Sequence, residues 1–307
     1  MTTNLSPQNA TFAIDIDRIQ EKISRAGNQV SSGLKITVAS DAPDEIGALL
    51  QLRANQLHNA QIQSNLTLAQ TDANAADDAL SASIQLMDSA TTLATQGATA
   101  TSDATSRASL AQQVNSILQQ MVNTSQTSVQ GRFVFSGDQD TTPQYTWDPT
   151  QANPVIAVQS SSSTRQIEDP AGGTFAASVS AQQIYDSLDP TTGNPATDNV
   201  FNALRTLQTA LASDDTTGIT NSITLLQAAS GHLNTMQSFY GNVQDQIQNA
   251  NTYASNYDVQ LKTEISNIQD ADVASAATQL TEANTQLQAA MEMKGQMPHS
   301  SLFQYLG

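Results

Sequence analysis

Ile14-Asp15-Ile16-Asp17-Arg18-Ile19-Gln20-Glu21-Lys22-Ile23-Ser24-Arg25-Ala26-Gly27-Asn28-Gln29-Val30 sets Ile16, Ile19, Ile23, Ala26 and Val30 at alternating steps of three and four. That spacing lays side chains along one stripe of a helix, the seam of a coiled coil. The far end of the chain repeats it: Val273, Ala276, Leu280, Ala283, Leu287 and Ala290 recur at the same steps, with Met291 beside the last of them. Seams at both ends predict that the ends pair with each other, with further copies of the chain, or both. The expectation is an assembly subunit before an enzyme.

Inward from the N-terminal seam, Gly33 suits the end of the first helix, read over roughly 14–31. Leu34-Lys35-Ile36-Thr37-Val38 follows, and then Ser40-Asp41-Ala42-Pro43-Asp44-Glu45. Ser40 or Asp41 can cap a new helix, Pro43 fits its first turn, and Asp44 and Glu45 favour its positive end. Leucines and alanines then keep a helical period to about Gln96, a length that belongs to a coiled coil or bundle. After a loop over 98–106, a third helix carries Leu110, Val114, Ile117 and Met121, antiparallel to the second.

The texture then changes. Gly131-Arg132-Phe133-Val134-Phe135-Ser136-Gly137 reads as a short strand bounded by glycines. Tyr145–Trp147, Val155–Val158, Thr164–Ile167 and Phe175–Val179 read as further strands between proline- and glycine-bearing turns. Helices resume near Asn199, run from about Thr217 past Leu261 to a joint over Ile265–Asp270, and close with a last helix from about Asp272 to Met297 before Pro298. The fold class expected is mainly α: an elongated coiled-coil or helical-bundle rod made by the N- and C-terminal halves, with a small β-rich domain inserted at the distal tip. The corresponding domains are 1–42 with 264–307, 43–130 with 199–263, and 131–198.

Composition narrows the function. The chain of 307 residues has a formal net charge of −17, no cysteine and only 13% charged residues. An acidic surface repels nucleic acid and anionic lipid, so neither is an expected partner. The missing cysteines exclude disulfides and thiolate chemistry. The first residues, Met1 to Ala13, show no basic start and no apolar core, so no cleaved secretory signal is expected. His58, His232 and His299 are scattered, and Asp77-Asp78 and Asp214-Asp215 lack the glycine and terminal glutamate of a calcium loop. No Gly-x-Ser-x-Gly elbow appears. The expectation is no enzyme, no metal and no cofactor. A secreted adhesin with a coiled-coil stalk is a weaker alternative, since it needs no seam at both ends.

Four stretches resemble bacterial flagellin-like proteins, and within them the hook–filament junction family. Val30 to Pro43, with Ser32, Gly33, Asp41 and Pro43, is similar to the segment joining the terminal helix to the rod. Gly131, Arg132, Phe133, Phe135 and Gly137, followed by Thr142-Pro143, resemble the lead-in to the outer domain, which favours the junction family over flagellin itself. Ile265 to Ala274, with Asp270 and Asp272, is similar to the turn before the last helix. Ser301-Leu302-Phe303-Gln304 resembles the family ending. Met1-Thr2-Thr3-Asn4 departs from the usual family start.

The resemblance implies a structural subunit exported unfolded by the flagellar type III apparatus to the extracellular flagellum, with an export chaperone. There it would form a homo-oligomeric ring between a neighbouring hook-associated protein and flagellin. The terminal helices would line the inner tube, assembling through Ile16, Ile19, Ile23, Val30, Val273, Leu280, Leu287 and Met291. Flagellin, the filament subunit, is the alternative the resemblance leaves open.

Overall fold

The computed structural model describes residues 7–159 and 164–296. Among these described residues, seven helices and six short strands follow in the order α1 (Pro7–Ser32), α2 (Pro43–Ala98), α3 (Ala104–Ser125), β1 (Ser128–Val129), β2 (Arg132–Phe133), β3 (Tyr145–Trp147), β4 (Val155–Ala157), β5 (Gln166–Glu168), β6 (Thr174–Ala176), α4 (Ala181–Tyr185), α5 (Val200–Ala212), α6 (Thr216–Gln269) and α7 (Val273–Gln296). The protein is mainly helical, with its small strand-rich part in the middle of the chain, as the sequence predicts. Two compact units divide it, residues 1–58 with 257–307 and residues 59–256. The division falls within α2 and within α6.

The terminal unit holds α1, α7 and the ends of the long helices. α1 packs against α7. The helix starts at Pro7, ahead of the expected start at Ile14, because proline without its N–H is at home in a first helical turn. α6 continues to Gln269, through the stretch expected as a joint. Ile265 to Gln269 contains no glycine or proline, so nothing there interrupts the backbone ladder. The joint is only Asp270 to Asp272.

In the central unit, stretches of α2, α3, α5 and α6 enclose one core. Leu66, Leu80, Met87, Leu118, Met121, Leu204, Leu207 and Leu211 are fully buried in it. α2 contributes Ala69, Ala73, Ala76, Ala90 and Ala94 to the same core, and small residues of this kind let helices approach closely. At Gly97 a Cβ would collide with Leu211 Cδ2, so the buried leucine would have to shift.

The strands form three separate antiparallel hairpins, β1–β2, β3–β4 and β5–β6. In the first, Gln130 and Gly131 both take positive φ, 51° and 78°, between Val129 and Arg132. That is the two-residue turn whose twist matches the flanking strands. The strand expected over 131–137 therefore shrinks to Arg132–Phe133, and the chain turns from Val134 onward. Phe135, Tyr145, Ile184 and Tyr185 from this segment are buried in the core that also holds Leu80 and Leu204. α4 was not expected, although Ser180 and Gln183 spell its capping box.

Candidate assembly surface at the chain ends

Two joints fix the ends of the terminal helices. Gly33 takes φ 71°, the left-handed conformation that ends α1. Leu34 then forms a β-bridge with Asp270. Lys35 N donates to Gln269 O at 2.6 Å and Ala271 N to Gly33 O at 2.9 Å. Arg53 Nη2 donates to Gln269 Oε1 at 2.9 Å, and Ile36 is buried beside this crossing. One short polar stitch thus ties the exit of α1 to the start of α7.

The carboxylates named from the sequence organise these joints. Asp41 Oδ2 accepts from Val38 N and Thr37 N, each at 2.9 Å, and from Thr37 Oγ1 at 3.0 Å. Those hydrogen bonds hold its carboxyl below the ordinary range. Asp272 Oδ1 accepts from Ala274 N at 3.0 Å and Ser275 N at 3.1 Å, capping α7. Asp270 Oδ2 accepts from Ser266 Oγ at 2.5 Å. Ser32 Oγ donates to Asn28 O at 2.6 Å and accepts from Leu34 N at 3.1 Å. Pro43 opens α2, and Lys35 pairs with Glu45 at 3.1 Å across the loop.

Beyond the stitch, α1 and α7 run antiparallel, with Phe12 near one end of the pair under Lys294 Nζ at 4.9 Å. The residues turned to the partner helix are Ala26 at 3%, Ala276 at 2% and Ala283 at 3% exposure. Ile16, Ile19, Ile23, Val30, Leu280 and Leu287 share this side but are only half-buried. Val273 and Met291 lie outside it, 45% and 59% exposed. The fully buried residues of the pair are alanines, and its larger aliphatics stay partly in water. Burial of a large aliphatic side chain contributes about 1.5–3 kcal/mol only when complete. Most of a helix's stability in a protein comes from packing of its apolar face rather than from propensity.

The second group of sequence-predicted residues lies in the central unit, at the lead-in to the strand-rich segment. Phe135 is fully buried and meets Tyr185 and Tyr240 edge-on at 5.9 and 6.2 Å. Ala181 N donates to Phe135 O at 2.7 Å, which fastens α4 to it. Phe133 is half-buried in β2, and Gly131 and Gly137 both take positive φ. Arg132 Nη2 pairs with Asp72 Oδ2 at 3.1 Å, and Arg165 Nη1 reaches the same oxygen at 2.5 Å. Asp140 sits 3.6 Å from Arg132 and 3.9 Å from Arg165. Sequence reasoning missed Asp72, Asp140 and Arg165, because lone charges on a long polar helix or in a loop carry no spacing signal. Leu302 and Phe303 lie outside the described residues.

Among the described residues no cluster of His, Asp and Glu could hold a metal, and no helix is long and apolar enough to cross a membrane. Residues 3–140 match the model of the bacterial flagellin N-terminal helical region, and residues 223–306 match that of the C-terminal helical region. No curated protein matches significantly. Solved structures share the fold. A putative flagellar hook-associated protein from Vibrio parahaemolyticus is 18% identical with a TM-score of 0.63, covering 75% of this chain and 100% of its own. Flagellar hook associated protein-3 from Legionella pneumophila is 13% identical at 0.61, covering 73% and 98%. FlgL from Bacillus cereus is 15% identical at 0.53, covering 72% and 100%.

Proposed function

The chain belongs to the bacterial flagellin family, and from that membership we propose that it is the structural subunit joining the flagellar hook to the filament. The observation that carries this reading is the α1–α7 pair, whose buried residues are alanines and whose isoleucines and leucines stay half-exposed. A surface of that kind is completed by neighbouring copies. The lead-in Gly131 to Gly137 and the shared fold with hook-associated proteins favour the junction over the filament itself.

In this reading the chain has no catalytic role. It leaves the cell unfolded through the flagellar type III apparatus, escorted by a chaperone, and assembles as a ring between an adjoining hook-associated protein and flagellin. Residues 1–42 with 264–307 form the inner tube, 43–130 with 199–263 the rod, and 131–198 the outer surface. The terminal helices fold last, when neighbours offset the ordering cost of roughly 1–2 kcal/mol per residue.

The test is electron microscopy of cells lacking this protein. Hooks without filaments, with flagellin lost to the medium, support the junction; normal filaments overturn it. The second reading, flagellin, is favoured by the family models themselves. Seeded polymerisation separates the two, since flagellin grows long filaments and a junction subunit does not.

A further inference from the structure

A cavity of about 480 Å³ opens where α3, the β3–β4 hairpin and α5 meet in the central unit. Asn115, Trp147, Pro149, Pro154, Arg205 and Gln208 line it. The volume lies in the range of small-ligand sites, about 300–1,000 Å³. What distinguishes the cavity is its unused polar chemistry. Trp147 is the chain's only tryptophan, is half-buried, and among the described residues its indole N–H has no acceptor. The guanidinium of Arg205 has no carboxylate within ion-pair reach among the described residues, in a chain with 28 acidic and 11 basic side chains. The side-chain amides of Asn115 and Gln208 are likewise without hydrogen bonds among the described residues.

We propose that this cavity binds an acidic saccharide, a pyranose ring bearing a carboxylate. Each unused group has a counterpart in such a ligand. The planar fork of Arg205 matches a carboxylate with two parallel hydrogen bonds. The amides of Asn115 and Gln208 each present both a donor and an acceptor, which suits hydroxyl groups that are themselves both. The indole of Trp147 offers an apolar body to the ring carbons and an N–H to a ring or hydroxyl oxygen. Pro149 and Pro154 make a rigid wall with no N–H to satisfy. A bare anion fits less well, since a single cation faces the cavity and the rest of the lining would go unused. The proposal is independent of any role at the hook.

The lone tryptophan makes the site its own reporter. The full chain is titrated with galacturonate, glucuronate, galactose and acetate while Trp147 emission is followed. A saturable change with at least one uronate at millimolar concentration is expected, about tenfold weaker with galactose and absent with acetate. Arg205→Gln is expected to weaken uronate binding at least about tenfold, and Gln208→Ala to weaken uronate and galactose alike. Circular dichroism confirms that both variants fold; either folded variant serves the test. No saturable response to either uronate, an equal response to acetate, or unchanged affinity in the folded variants overturns the proposal.

Discussion

Arg107 reaches Asp214 with Nη1 at 2.5 Å from Oδ1, joining the first turn of α3 to the loop before α6. Arg107 is 8% exposed and Asp214 49%. The other guanidinium nitrogens donate to Gly97 O at 2.8 Å, in the last turn of α2, and to Thr99 O at 3.2 Å, which also accepts from Ser102 N. Asp214 itself holds φ at 59°. One side chain therefore closes a helix end and latches two connections.

Replacing each partner separates these tasks. Arg107→Met strands the Gly97 carbonyl and leaves Asp214 without its cation, and is expected to cost about 2–4 kcal/mol in urea unfolding. Asp214→Asn keeps a residue that tolerates positive φ and removes only a half-exposed charge, so about 1 kcal/mol or less is expected. Equal costs for the two would show that the ion pair, rather than the helix closure, dominates.

Asp72 serves two arginines at once, Arg132 from β2 and Arg165 from β5. Asp72→Asn is expected to destabilise the central unit by about 2–3 kcal/mol, since two partly buried guanidiniums lose their main partner. The effects of Asp72→Asn and Arg165→Gln are expected to be non-additive by about 1 kcal/mol or more in a double-mutant cycle. Simple additivity would show that Asp140 alone holds both arginines.

Tyr145, Tyr185 and Tyr240 set the alkaline limit. Burial pushes all three phenols well above the ordinary tyrosine range, reinforced at Tyr145 by the Asp186 carboxylate 2.9 Å away. In the folded state they hold protons that the unfolded chain releases near its ordinary value of 10.0. Stability is thus full below about pH 10 and falls as pH rises beyond it. Phenolate absorbance from these residues is expected to appear together with the loss of helical circular dichroism; ionisation well before unfolding would contradict the burial argument.

The terminal seam answers to a different measurement. Ile23→Asn and Leu280→Asn remove half-buried aliphatics from the α1–α7 pair. Little change is expected in the unfolding of the central unit, while co-assembly with flagellar partners falls at least about tenfold, as for lost anchor residues at an interface. Amide exchange in α1 and α7 is expected to be far faster than in α5. Full protection of the terminal helices in the free chain would sink the idea that they fold on assembly.

Much of this was open to reading from the residues because periodicity and capping act locally. Ile16 to Val30 and Ala276 to Leu287 declare their stripes through spacing, and Gly33, Pro43 and Asp272 mark boundaries through backbone chemistry. Local signals misled where a short run admits two structures. Ile265 to Gln269 stays helical for want of a breaker, and Val134 to Gly137 leaves the strand because Phe135 is drawn into the helical core.

The sequence by itself determined the helical plan, the nested order of its parts and the absence of thiol chemistry, because each rests on residue type and spacing along the chain. Only the tertiary structure decided which partners meet: Asp72 with Arg165, Arg107 with Asp214, Arg53 with Gln269, and Trp147 with Arg205 around one cavity. Those pairings join residues far apart in sequence. Their distances depend on how helices and hairpins pack about a shared core, and no local pattern encodes that.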